Sequence, residues 1–208
     1  MLAGFAAQLG KPTGVRGLVV GTMLNRTNRG MIAVAVDALE LKSGATAADL
    51  GFGGGAGLAR MLEKVGPEGH VLGVDLSPTM VRRASGQFDR DIANGRMRLQ
   101  LGSLTRLPLE DGSVQGAITV NTIYFIDELD RVFSELARVI ASDGRAVVGI
   151  GDPMNMARMP MTVYGYRLRP VDEVVAVAKS AGLVLQDHRR SGQGDDATHL
   201  LVFARASS

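Results

Sequence analysis

Beyond residue 44 the chain switches repeatedly between two hydrophobic periods. Short runs of mostly apolar residues alternate with longer stretches in which apolar residues recur every three or four positions. The first pattern predicts buried strands and the second amphipathic helices. Ala45 to Leu50 reads as a strand, Gly57 to Val65 as a helix, His70 to Asp75 as a second strand and Pro78 to Ile92 as a second helix. Met97 to Leu101 and Val114 to Asn121 give strands three and four. Leu129 to Ala141 has helical spacing and stops at Ser142-Asp143-Gly144, ahead of a fifth strand from Arg145 to Gly151. A helix from Val171 to Ala181 is closed by Gly182, and the strands Leu183 to Asp187 and His199 to Ala204 end the pattern.

Strands that alternate with helices build a parallel sheet covered on both faces. The last two strands depart from this, because only the polar connection Arg189 to Thr198 joins them. It is too short for a crossover helix, so the final strand runs antiparallel. The expected fold is α/β, with seven strands, mostly parallel, an antiparallel last strand and helices on both faces. Residues 1–44 read as a helical cap on a core of residues 45–208, all within one domain.

Charge and composition narrow the partners. The net charge is only +2, and the basic residues are scattered, the doublets Arg82-Arg83 and Arg189-Arg190 aside. No basic face for nucleic acid emerges. The absence of cysteine excludes disulfides, thiolate metal sites and a cysteine nucleophile, and fits a cytoplasmic protein. No apolar run approaches the roughly 18 residues of a membrane span. His70, His188 and His199 share no short ligand spacing, so no metal is expected.

The chemistry concentrates in one stretch, AADLGFGGGAGLAR, where five of the seven residues from Gly51 to Gly57 are glycine. It follows the first strand and opens a helix, which is where a doubly wound sheet binds ligands. Gly51, Gly53 and Gly55 permit close backbone approach and positive φ. Asp75, twenty residues past Gly55, ends the second strand, where a carboxylate accepts the hydroxyls of a ribose. Two cofactor classes share these features. Gly51-x-Gly53-x-x-Ala56 satisfies the dinucleotide pattern, which keeps an NAD(P)-dependent oxidoreductase open. Asp49, two residues before the first glycine, opposes a pyrophosphate and favours the ammonium and sulfonium of S-adenosylmethionine.

Several segments in order then carry a resemblance. Asp49-Leu50-Gly51-Phe52-Gly53-Gly54-Gly55 resembles the first motif of class I S-adenosylmethionine-dependent methyltransferases, and VLGVDLSPTMVRRA their second segment. LGSLTRLPLEDGSVQGAITVN and FSELARVIASDGRAVVGI resemble the ubiquinone/menaquinone-methyltransferase-like group, type 11, over about residues 45–205. The resemblance implies a Rossmann-like sheet and methyl transfer to a small-molecule acceptor. Sugar, lipid, quinone and polyketide acceptors stay open, as do oxygen, nitrogen and carbon as attacking atoms, with oxygen slightly favoured. The resemblance also implies Asp75 at the ribose, Leu76, Leu104 and Met80 beside the adenine, and Gly102-Ser103 at the adenine amino group. Ser103 stands where the family commonly has Asp, and Phe52 where it commonly has Cys or Ser. Those departures leave a cofactor-binding scaffold without catalysis as a further reading. Asn121 is expected at the methionine part and Tyr124 in the acceptor pocket, with Asp152 or His199 as a general base. Residues 11–32 and the methionine-rich stretch 151–170 are expected to shape the acceptor side, the latter as a lid. A homodimer stays open.

Overall fold

The computed structural model describes residues 28–160, 162, 165–192 and 197–206. Most of the expected cap segment 11–32, together with Met161 and Tyr164 of the methionine-rich stretch, lies outside them. The strands are β1 (Thr46–Leu50), β2 (His70–Asp75), β3 (Met97–Leu101), β4 (Val114–Val120), β5 (Ile140–Gly151), β6 (Leu183–Ser191) and β7 (Thr198–Arg205). The helices are α1, described over residues 28–38, then α2 (Ala56–Val65), α3 (Pro78–Gln87), α4 (Asp89–Ala93), α5 (Leu129–Val139), α6 (Pro153–Met156) and α7 (Val171–Ser180).

The seven strands form one sheet in the order β3-β2-β1-β4-β5-β7-β6. All neighbours from β3 to β5 are parallel, while β7 runs antiparallel to both β5 and β6. That is the expected architecture. Alternate residues of the central strands feed two apolar layers. On one face Leu50, Ala48, Val148 and Ile150 meet Phe133 and Leu136 of α5 and Val174 of α7. On the other, Ala47, Ile118 and Val147 meet Val36 of α1, Leu58 and Met61 of α2 and Met80 of α3. Both faces of the central strands are thus dry, which is why those strands are almost wholly apolar.

In three places the elements depart from the sequence pattern by more than one residue. The helix expected over Pro78 to Ile92 is broken at Phe88, whose φ of −113° leaves the helical region so that its ring can turn inward, beneath the loop at Gly55. The helix expected to run to Ala141 stops at Val139, because Ile140 already pairs with Val114 and starts β5. Gly144 allows the tight return, since a Cβ there would lie 2.8 Å from the Ile140 side chain. β6 continues through polar His188 to Ser191 because β7 supplies its ladder partners, and an edge strand tolerates polar side chains.

Candidate functional site

The strand order reverses between β1 and β4, with β2 and β3 on one side and β5 on the other. The loops leaving these strands therefore diverge and open a crevice at the carboxyl edge. The glycine loop lies there, anchored where Gly51 N–H donates to Val74 O at 2.7 Å. Gly51, Gly53 and Gly55 all have positive φ, at 79°, 50° and 83°. At Gly51 a side chain would also run into the methyl of Thr122, so the loop presses directly on the end of β4. Phe52 takes no part in the crevice surface. It turns down into the apolar layer with Leu58, Met80 and Phe88, and its ring lies 3.0 Å from where a Cβ on Gly73 would sit. The aromatic departure at this position is thus a packing anchor beneath the loop.

Two carboxylates flank the loop. The Asp75 carboxyl accepts Gly53 N–H and Ser77 N–H, both at 2.8 Å, so it braces the loop to the start of α3. Each oxygen keeps lone-pair capacity for a further donor. Burial pushes its pKa up, against the lowering effect of those two N–H groups. Asp49 is 4% exposed and sits under the first turn of α2. A side chain at Gly57 would overlap its Oδ2, so α2 carries glycine there to let the carboxylate in. Burial, with a further push from Asp75, raises the Asp49 pKa to about 8. A neighbouring cation would reverse that shift.

The adenine-side candidates divide by exposure. Leu76 is 47% exposed at the crevice, whereas Leu104 is buried and Met80 is wholly buried. Met80 therefore forms the floor of the loop rather than its lining, since no surface remains for a ligand to touch. Ser103 Oγ accepts Thr105 N–H at 3.2 Å and pairs with Thr105 Oγ1 at 2.8 Å. It can still accept one further donor if its own proton goes to Thr105. At Gly102 a Cβ would lie 3.0 Å from both Pro108 and Val74, so the turn is packed closely at this point. Two residues that the sequence reading missed hold this loop. Glu135 Oε2 accepts Leu107 N–H at 2.6 Å, and Arg138 donates to the carbonyls of Leu107 and Leu109 while pairing with Glu135 and Asp111. Their only sequence signal is an oppositely charged pair three apart on the polar side of α5.

At the ends of β4 and β5, every residue singled out for chemistry has protein partners. Asn121 has φ 56°, rare for a residue with a side chain. Its amide donates to Asn28 Oδ1 at 3.0 Å and its Oδ1 accepts the Tyr124 hydroxyl at 3.1 Å. The Tyr124 oxygen in turn accepts Gly151 N–H, and burial raises the pKa of the phenol. Tyr124 is a tie between the two strand ends, and its ring packs on Tyr166 at 5.7 Å. Asp152 caps α6, with Oδ1 accepting Met154 N–H at 3.0 Å and Asn155 N–H at 3.2 Å. Its Oδ2 accepts from Arg190 and from His199 Nε2, both at 3.1 Å. Burial alone would raise its pKa, but the Asn155 N–H, His199 and Arg190 outweigh it and hold the carboxyl low. The structure brings Asp152 and His199 together, and adds His188 and Arg190 to them.

Residues 48–148 match a family model described as a methyltransferase domain. This stretch carries the methyltransferase domain of the class I S-adenosylmethionine-dependent methyltransferases. Among curated relatives, the arsenite methyltransferase of Halobacterium salinarum is 35% identical over 117 residues, which are 56% of this chain and 29% of that protein. The demethylmenaquinone methyltransferase of Desulfitobacterium hafniense is 27% identical over 143 residues, 68% of this chain and 54% of that protein. The chain thus spans less than a third of the first of these and about half of the second. A Haloferax volcanii methyltransferase, solved in complex with the Trm112 activator, superimposes with a TM-score of 0.78 at 19% identity, over 90% of this chain and 93% of that one. That likeness is one of fold.

The family's cofactor, S-adenosylmethionine, fits the crevice of this chain on two observations. The glycine at position 57 opens room for a buried carboxylate beside the loop, and a cation is what such a carboxylate lacks. The Asp75 carboxylate, braced by two N–H groups, retains acceptor capacity at the end of β2. Among the described residues, no helix is long and apolar enough to cross a membrane.

Asp75→Asn is expected to lower the affinity for S-adenosylmethionine by about tenfold, because an amide NH2 must face one of the two backbone N–H donors. Titration calorimetry checks this. An unchanged affinity would remove Asp75 from the site.

Proposed function

We propose that this methyltransferase transfers the methyl of S-adenosylmethionine to a small organic acceptor through an oxygen nucleophile. The observation that carries the reading is the pair of carboxylates, Asp49 and Asp75, on either side of the glycine loop. In this reading Asp75 accepts the ribose hydroxyls and Asp49 faces the methionine ammonium. Gly51, Gly53 and Gly55 let the backbone approach the cofactor. Leu76 and Leu104 flank the adenine, and Ser103 accepts its amino group with Gly102 behind it. The bound cofactor supplies an activated methyl, so the chain has to align the acceptor and exclude water.

Asn121 and Tyr124 fix the ends of β4 and β5 against each other, on the side where the acceptor approaches. Asp152 and His199 hold the start of the segment after β5. With these groups already hydrogen-bonded, an acceptor hydroxyl more acidic than an alcohol, such as a phenol or enol, asks least of them. The relatives named for arsenite and for demethylmenaquinone support a small acceptor. They do not favour one attacking atom.

Calorimetry with S-adenosylmethionine, S-adenosylhomocysteine and NAD tests the donor. Both adenosyl ligands should bind and NAD should not; NAD binding without sulfonium binding sinks the reading. Methyl-labelled S-adenosylmethionine with a panel of phenols, enols, sugars and amines then tests the acceptor. Label appearing only on amines would overturn the oxygen assignment.

A further inference from the structure

The adenine-side candidates Gly102, Ser103 and Leu104 open the loop between β3 and β4, and α5 grips that loop further along. Every N–H donor of the Arg138 guanidinium is spent in this grip. Its Nε donates to Glu135 Oε1 at 2.8 Å. Its Nη1 donates to Leu109 O at 2.8 Å and Asp111 Oδ1 at 2.6 Å, and its Nη2 to Leu107 O at 3.1 Å and Glu135 Oε2 at 2.7 Å. Glu135 Oε2 also accepts Leu107 N–H at 2.6 Å, so both backbone groups of Leu107 end on one ion pair. The Arg138 carbonyl adds a further tie, accepting Gly112 N–H at 2.8 Å.

The base of the grip is firm. Leu136 and Val139 of α5 are buried in the apolar layer, and Ile140, which follows at once, pairs with Val114 where the loop ends. From Leu107 the hold reaches Ser103 within one turn. Arg106 N–H, next to Leu107, donates to Ser103 O at 3.1 Å. Leu104 and Leu107 share the apolar layer, and Pro108 closes on Gly102. We propose that Glu135 and Arg138 are positioning residues for the adenine site, which fix Leu107, hold the Ser103 hydroxyl where the adenine amino group arrives, and so set the selectivity for that base. The proposal rests on the reading that Ser103 accepts the adenine amino group.

Placement matters here because Ser103 is neutral. A hydroxyl accepts without the help of a charge, so what it gains from an amino group depends on distance and angle. Its Oγ is already shared with Thr105, which leaves one direction for a ligand donor. The grip itself depends on the shape of the guanidinium. A planar fork reaches two carbonyls and both oxygens of Glu135 at once, whereas a lysine offers three donors from a single atom. The arm to Asp111 ends on a side chain that is 80% exposed and adds little. Arg138 beside Glu135 holds that carboxyl below its ordinary range, so the pair stays ionised at neutral pH.

Calorimetry with S-adenosylhomocysteine, and with its analogue carrying unsubstituted purine in place of adenine, reads the site, since the two ligands differ only in the amino group. The wild-type chain should prefer the adenine ligand by about fivefold, and Arg138→Ala should bring the ratio to within about twofold. A general loss of stability weakens both ligands alike and cancels in the ratio. Arg138→Lys, which keeps the charge without the fork, should narrow the ratio too, and it serves if the alanine variant does not fold. Hydrogen exchange at the Arg106 amide, whose partner is Ser103 O, should quicken by about tenfold in either variant. A wild-type preference that survives in both variants, or an unchanged exchange rate, would overturn the proposal alone. A wild-type chain that binds both ligands equally, or neither, would overturn the adenine reading of Ser103 and the proposal with it.

Discussion

Gly57→Ala should destabilise the folded chain and weaken its hold on S-adenosylmethionine by on the order of 100-fold. The sign is the informative part. Within a helix, glycine to alanine ordinarily stabilises by up to about 1 kcal/mol, because alanine has the higher helix propensity. Gly57 lies in α2, yet an added Cβ would overlap Asp49 Oδ2 and lie 3.0 Å from Ile118 Cδ1. β1 pairs Asp49 with Gly73 on one side and Ile118 on the other, so its backbone is held and the buried carboxylate must give way. Overpacking of this kind costs about 1–3 kcal/mol, which exceeds the propensity gain. Gly86→Ala in α3 is the control, because a Cβ there meets nothing within 4 Å. Thermal unfolding should show the melting temperature rising for Gly86→Ala and falling for Gly57→Ala. Two equal rises would mean that α2 does not press on Asp49.

A second large effect concerns pH. With its pKa pushed up to about 8, Asp49 carries a proton through most of the neutral range in the ligand-free chain. A ligand that places an ammonium beside it binds the ionised form and must expel that proton. Affinity for S-adenosylmethionine should therefore climb from about pH 6 to about pH 8, by up to about tenfold per unit. Calorimetry in two buffers of different ionisation enthalpy should register close to one proton released per ligand bound.

The stability of the ligand-free chain moves in the opposite direction. The folded pKa lies above the unfolded value of 3.8, so the folded chain holds a proton that the unfolded chain has lost. Stability from this group thus falls as pH rises through that window. Asp49→Asn should flatten both profiles, and any slope left in the binding profile belongs to the ligand's own amino group. A pH-independent affinity in the wild type, without proton release, would remove Asp49 from the cation's side.

Taken element by element, the strands were the most legible part of the fold. β1, β2 and β3 are short apolar runs closed by glycine or acid, and neither neighbouring strand nor helix alters where they begin or end by more than one residue. The break at Phe88 was hidden because nothing in a local window says that an aromatic ring will be needed under Gly55. The early start of β5 was hidden in the same way, since Ile140 joins the sheet through Val114, twenty-six positions earlier in the chain. In the candidate site, Asp49, the glycines and Asp75 are readable as neighbours because their spacing along one strand–turn–helix–strand unit already places them together. Glu135 and Arg138 are not, because they act on a loop that is remote in sequence.

What the amino-acid order determines unaided is therefore local: periods, turn glycines, the acid at a strand end, and the alternation that makes the sheet parallel with a reversed last strand. The tertiary structure decides what each polar group meets. It makes Phe52, a departure from the family motif, an anchor beneath the loop, makes Tyr124 a strand tie, and joins Asp152 to His199, His188 and Arg190. It also gives Asp49 its raised pKa. That shift follows from burial and from the nearness of Asp75, and both exist only once β1, β2 and α2 have closed around the carboxylate.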